Sequence, residues 1–140
     1  MVGRWSLAST IKKGEISMSN NILDFYTGFE GGDEIQFIRV LPDGSKDIIR
    51  MWDGYFDNFM MQIEPDQEGW TSLAYYYHLE EGWYDESPWE IPDIKEAFEQ
   101  LRRLKDINIK SVKSKEVYDE VCKLLDVAIN TNSRVYITLE

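Results

Sequence analysis

The chain has 140 residues, of which 43% are hydrophobic and 14% aromatic, and its formal net charge is −11. A chain of this length is one ordinary domain that buries roughly two thirds of its unfolded surface, and its aromatic content excludes disorder over the whole chain. No run approaches the roughly 18 to 20 consecutive apolar residues that a membrane-spanning helix needs.

The charge is unevenly distributed. Residues 1–50 carry six Lys and Arg against seven Asp and Glu, and residues 101–140 carry eight against six. Residues 51–100 carry thirteen Asp and Glu against the single base Lys95, so the excess lies in the middle of the chain. Such a surface repels phosphate backbones and anionic lipid, which argues against direct nucleic-acid or membrane binding, and it speeds encounter with basic partners. Cys122 is the only cysteine, so an intramolecular disulfide or a cysteine-based metal site is excluded. The stretch from Met1 to Lys13 has no continuous apolar segment of the secretory kind, so the expected compartment is the cytoplasm.

Without repeats or a Pro-, Gly- or Ser-rich linker, residues 1–140 read as a single domain. Residues 1–17 read either as a leader before an alternative start at Met18 or as an edge strand over Trp5–Ile11. A short strand is expected over Ile22–Tyr26, closed by Gly28 and the Gly31–Gly32 pair. Glu34–Leu41, the turn Pro42-Asp43-Gly44-Ser45 and Ile48–Trp52 form the clearest hairpin signal, because Pro presets φ while Asp and Gly suit tight turns. Phe56–Ile63 and Trp70–Leu79 read as further strands. In the second, Leu73, Tyr75, Tyr77 and Leu79 alternate with Ala74, Tyr76 and His78.

From Pro92 the period becomes helical. Ile94, Ala97, Phe98, Leu101 and Leu104 share one face, with acids Asp93, Glu96 and Glu99 early and bases Arg102, Arg103 and Lys105 late, as the helix dipole favours. A second helix is expected after a Ser114 cap, with Val117, Val121, Leu124, Leu125, Ala128 and Ile129 as its stripe, and a last strand over Ser133–Leu139. The expected fold is α+β: a mostly antiparallel sheet of about five to seven strands, two C-terminal helices packed on it and a final C-terminal strand.

Catalytic signatures are sparse. His78 is the only histidine, so histidine-pair zinc motifs are absent, and Cys122 falls within an apolar helical stripe where cysteines are inert. Gly28-Phe29-Glu30-Gly31-Gly32 lacks both the lysine of a P-loop and the dinucleotide spacing. The carboxylates lack the spacing of a calcium loop, and a glycosidase-type pair needs a shaped cleft that a small single-core domain has little room for. The expectation is a non-enzyme with no catalytic residues, no metal and no cofactor.

One segment combines charge with contact-forming side chains. Between Glu80 and Pro92 stand Glu80, Glu81, Asp85, Glu86 and Glu90, interleaved with Trp83, Tyr84 and Trp89. Trp and Tyr give large contact area with few rotors to freeze, and carboxylates give steering and charge-assisted bonds to Arg or Lys. These eight residues are the candidate partner-binding set. For Trp83 and Trp89 the competing reading, as core residues folded back over the sheet, is the stronger one, since tryptophan is highly buried on average.

In overall character, and in the passage from Trp83 to Leu104, the chain resembles the small acidic immunity proteins of bacterial polymorphic-toxin and contact-dependent inhibition systems. The resemblance implies a protein that binds a basic cognate toxin, often a nuclease, and occludes its active site. Two other readings are a nucleic-acid mimic and a small-ligand or carbohydrate module that uses Tyr75, Tyr76, Tyr77 and Trp83 as stacking platforms.

Overall fold

A computed structural model describes residues 20–104 and 111–140. The expected edge strand over Trp5–Ile11, the Met18 start and Lys105 lie outside the described residues.

Three strands build the first half of the sheet. These are β1 (Asn20–Phe25), β2 (Glu34–Val40) and β3 (Lys46–Trp52). The hairpin between β2 and β3 forms as the turn residues predict. Leu41 N–H donates to the Ser45 carbonyl at 2.9 Å, Gly44 N–H donates to that of Leu41 at 2.9 Å, and the Asp43 carboxylate accepts the Ser45 N–H and hydroxyl. β1 does not pair with β2. It lies parallel to β3, with Ile22 opposite Ile48, because β3 occupies the place between them.

The sheet is therefore mixed, not mostly antiparallel. Its cause is the connection after β1, which is too long for a two- to five-residue hairpin loop and can skip one strand position. Asp24 shapes that connection by accepting the N–H groups of Tyr26 and Thr27 at 2.8 and 3.0 Å.

The two aromatic segments expected as strands are helices. α1 (Asp53–Met60) buries Phe56, Phe59 and Met60, and Ile63 is also buried beyond its end. Those positions are i, i+3, i+4 and i+7, a helical face. Gly54 permits its first turn, since a Cβ there would stand 2.3 Å from the Trp52 ring.

α2 (Ser72–Leu79) buries Leu73 and Ala74. Its start is held by a distant side chain. Buried Gln100 accepts the Ala74 N–H at 3.1 Å and donates to the Thr71 carbonyl at 2.7 Å.

The two C-terminal helices and the last strand follow in the predicted order, but two short elements not expected from the sequence precede them. A 3-10 turn (Gly82–Tyr84) and the short strand β4 (Trp89–Glu90) lead to α3 (Ile94–Arg102), capped by Asp93, which accepts the Glu96 N–H at 3.0 Å. α4 (Val112–Asn130) is capped by Ser111 rather than Ser114; the Ser111 hydroxyl accepts the Ser114 N–H at 3.0 Å, and Ser114 is buried. β5 (Arg134–Leu139) inserts between β2 and β4, giving the order β1-β3-β2-β5-β4. The fold is α+β, with a five-stranded mixed sheet and four α-helices among the described residues instead of two. None of these helices is long and apolar enough to cross a membrane.

Alternation decides which face of the sheet is covered. Ile35, Phe37, Ile49, Met51, Val135 and Ile137 point to one side and are buried beneath α1 and α4. Phe37 meets Phe56 of α1 at a ring distance of 6.0 Å, and Phe59 meets Tyr118 of α4 at 5.9 Å.

One end of this inner face is polar. Arg39 and Asp47 are cross-strand partners whose side chains are 8% and 1% exposed and form an ion pair at 2.6 Å. Asn21 donates to the other Asp47 oxygen at 2.7 Å, and Arg39 also reaches the hydroxyls of Ser133 at 3.1 Å and Thr131 at 3.3 Å.

The pair thus joins β1, β2, β3 and the entry to β5. Removing one partner leaves a buried charge uncompensated. Asp47→Ala is expected to lower stability by about 3–5 kcal/mol, and Arg39→Met combined with Asp47→Leu by clearly less. Urea unfolding of the three proteins measures both.

Candidate functional site

The segment from Glu80 to Glu90 joins α2 to α3 and is fixed at several points. α2 ends at Glu80 in the left-handed conformation (φ 54°), and the Glu81 N–H donates back to the Tyr76 carbonyl at 3.0 Å. The Asp85 and Glu86 N–H groups both donate to the Gly82 carbonyl, at 3.0 and 2.9 Å. Ser87 Oγ accepts the Leu139 N–H at 3.1 Å, and the Ile91 N–H donates to the Val135 carbonyl at 2.9 Å. Trp89 lies opposite Ile137 of β5.

The three aromatics of the candidate set separate. Trp83 is 1% exposed and belongs to the core, with its ring edge-on to Phe56 at 5.6 Å and to Trp89 at 5.4 Å. Trp89 is half-buried and leans on Tyr76 at 4.6 Å. Tyr84, 38% exposed, is the aromatic of the three that solvent reaches most. Gly82 makes this packing possible. Its φ of +66° disfavours any side chain, and a Cβ there would crowd Tyr76 and Trp89 at 3.1 and 3.2 Å.

All five carboxylates of the set are exposed. Glu90 stands apart from the others. It faces Tyr136 across the β4–β5 ladder, 3.6 Å from Arg134. Among the described residues, Glu80, Glu81, Asp85 and Glu86 form no ion pair. Three of the four carboxylates of α4 behave differently: Glu116, Asp119 and Glu120 pair with Lys113, Lys115 and Lys123.

Glu80 belongs to a larger acidic group that the sequence reading missed. Asp53 and Asp57 lie one helical turn apart on α1, and the Tyr77 hydroxyl donates to Asp57 at 2.8 Å. Burial, then that bond and the neighbouring charges, pushes the Tyr77 hydroxyl far up. Burial followed by the charges of Asp57, Glu80 and Asp53 holds the Tyr84 hydroxyl above its usual range. Burial, then Asp57 and Asp33, also raises the Asp53 carboxyl.

No lysine or arginine among the described residues pairs with Asp33, Asp53 or Asp57. Trp52 and Tyr55, which flank Asp53 in the chain, belong to an aromatic cluster. Phe29 stacks on Trp52 at 4.5 Å, and Tyr55 meets both rings edge-on. The available signal was the Asp53/Asp57 spacing of four combined with the helical spacing of Phe56, Phe59 and Met60.

The remaining reactive groups lie elsewhere. His78 stacks on Trp70 at 3.8 Å. Cys122 sits on α4, where burial pushes its thiol up to about 11, so it is a protonated thiol at neutral pH. Among the described residues, no group of three or more His, Cys, Asp or Glu is arranged to hold a metal ion. No family model, curated protein or solved structure matches the chain.

A raised carboxyl pKa means that the folded state favours the protonated form. The cost of ionising Asp53 is therefore absent below the unfolded aspartate range and present in full above the folded pKa. Asp53→Asn is expected to raise the melting temperature at pH 7, with the gain shrinking to nothing towards pH 3. Calorimetry across that range checks this, and a loss at pH 7 would contradict it.

Proposed function

We propose that the chain is a non-enzymatic binding protein whose acidic surface engages a basic protein partner. The partner class that fits best is a cognate toxin domain of the nuclease type, whose active site this surface would cover. One observation carries the reading: among the described residues, carboxylates on the Glu80–Glu86 turn and on α1 form no ion pair and stand on a backbone tied to the core, while three of the four on α4 are paired with lysines.

Unpaired carboxylates close to one another cost stability through repulsion, and a cationic partner removes that cost on binding. A surface held in place before the encounter also loses little entropy on association. A nuclease groove is basic because it must hold phosphate, so an acidic surface meets it with complementary charge.

The test is a low-salt capture from the source strain with the wild-type chain and with Glu80→Lys, Glu81→Lys, Asp85→Lys and Glu86→Lys combined. All four side chains are exposed, so the fold is expected to tolerate the change. The wild type is expected to retain a strongly basic protein that the variant loses, with an association rate at least about tenfold lower for the variant. Equal retention by both chains contradicts the proposal.

A further inference from the structure

Beside the acidic turn lies a cavity of about 310 Å³ between the start of α2 and the link from β4 to α3. Its aromatic walls are Trp70, Tyr75, Tyr76 and Trp89, and Asp93 and Glu96 stand on its lining; among the described residues, no lysine or arginine lines it. We propose that this cavity is the seat of one arginine side chain of the basic partner. The inference deepens the binding function proposed above and rests on it.

The walls are positioned by packing that is independent of any ligand. Tyr76 lies between Trp89, at 4.6 Å, and Tyr75, edge-on at 5.1 Å, while Trp70 is held by its stack on His78. Ring faces are the negative side of the aromatic quadrupole and attract a cation. Asp93 uses one oxygen to cap α3, through the Glu96 N–H, and the other has no hydrogen-bond or ion-pair partner among the described residues. Glu96 is exposed and forms no ion pair among the described residues.

Two carboxylates beside aromatic walls favour a cation over a neutral or anionic guest. The start of α2 would attract an anion, but the Ala74 N–H is already taken by Gln100, and the two carboxylates oppose negative charge. A guanidinium suits the cavity better than an ammonium, because its plane stacks on rings while its donors form paired bonds to carboxylate. A volume of this size accepts one such side chain with its aliphatic stem.

The test uses the full chain and N-acetyl-arginine amide as the probe, read by the indole N–H signals of Trp70 and Trp89 in NMR titration. The comparison variant is Asp93→Asn with Glu96→Gln, in which Asn keeps the helix cap. Saturable shifts of both signals are expected in the millimolar range, weakened roughly fivefold or more by the variant. N-acetyl-lysine amide is expected to bind more weakly, and a neutral methyl glucoside not to compete.

Absence of saturable shifts, identical binding by the variant, or equal binding of the glucoside would overturn the proposal, the last in favour of a sugar site. The Glu80, Glu81, Asp85 and Glu86 charge reversal separates the two readings. It is expected to abolish partner capture and leave the arginine-amide shifts in place. Intact capture with no arginine shift would refute the cavity alone.

Discussion

The burial of Trp83 determines how this protein presents its charge. Its indole lies between Phe56 of α1 and Trp89 of β4, so one side chain ties the first helix, the acidic turn and the sheet edge together. Truncating a buried tryptophan to alanine costs on the order of 3–5 kcal/mol, a large part of a small domain's net stability. With Trp83 turned inward, its neighbours Glu80, Glu81, Asp85 and Glu86 stay in water, because an unpaired carboxylate cannot follow it into the core. The aromatics of the segment supply the anchor and its carboxylates the surface.

Charge pairing divides the molecule along the same line. On β1–β3 and α4 most acids have basic partners: Asp47 with Arg39, Glu34 with Arg50, and three of the four acids of α4 with lysines. Around α1 and the turn after α2, Asp53, Asp57 and Glu80 gather near the Tyr84 hydroxyl instead, Asp57 also holds that of Tyr77, and Asp33 lies near Asp53. Surface ion pairs contribute little stability, so their absence matters less for folding than for the field the surface projects. A concentrated field of one sign, on a scaffold held by aromatic packing, suits recognition more than structure.

The parts of this arrangement that local pattern determines were legible in the sequence. The β2–β3 hairpin follows from Pro42, Asp43 and Gly44, and α3 and α4 follow from apolar stripes with caps and complementary charges. α1 and α2 were not read. In α1 a helical face of Phe56, Phe59, Met60 and Ile63 is built from residues that also favour strands. In α2 the alternation of Leu73, Tyr75, Tyr77 and Leu79 is overridden by Gln100, a clamp that sits 26 residues away. The parallel β1–β3 pairing depends on a strand that appears later in the chain. Of the candidate site, the exposed carboxylates were identified, the place of Trp83 and Trp89 was left open, and Asp53 and Asp57 were hidden by the misread helix.

The hydrogen bonds of the acidic turn hold it in place before any partner arrives. Amide hydrogen exchange on the isolated full chain tests it directly, because the turn's N–H groups have specific acceptors: Gly82 O for Glu86 and Val135 O for Ile91. Glu86 and Ile91 are expected to exchange far more slowly than a free peptide, with Ile91 approaching the protection of the β2–β5 ladder. Exchange of both amides at the free-peptide rate would contradict it, and would mean that the surface forms only on binding.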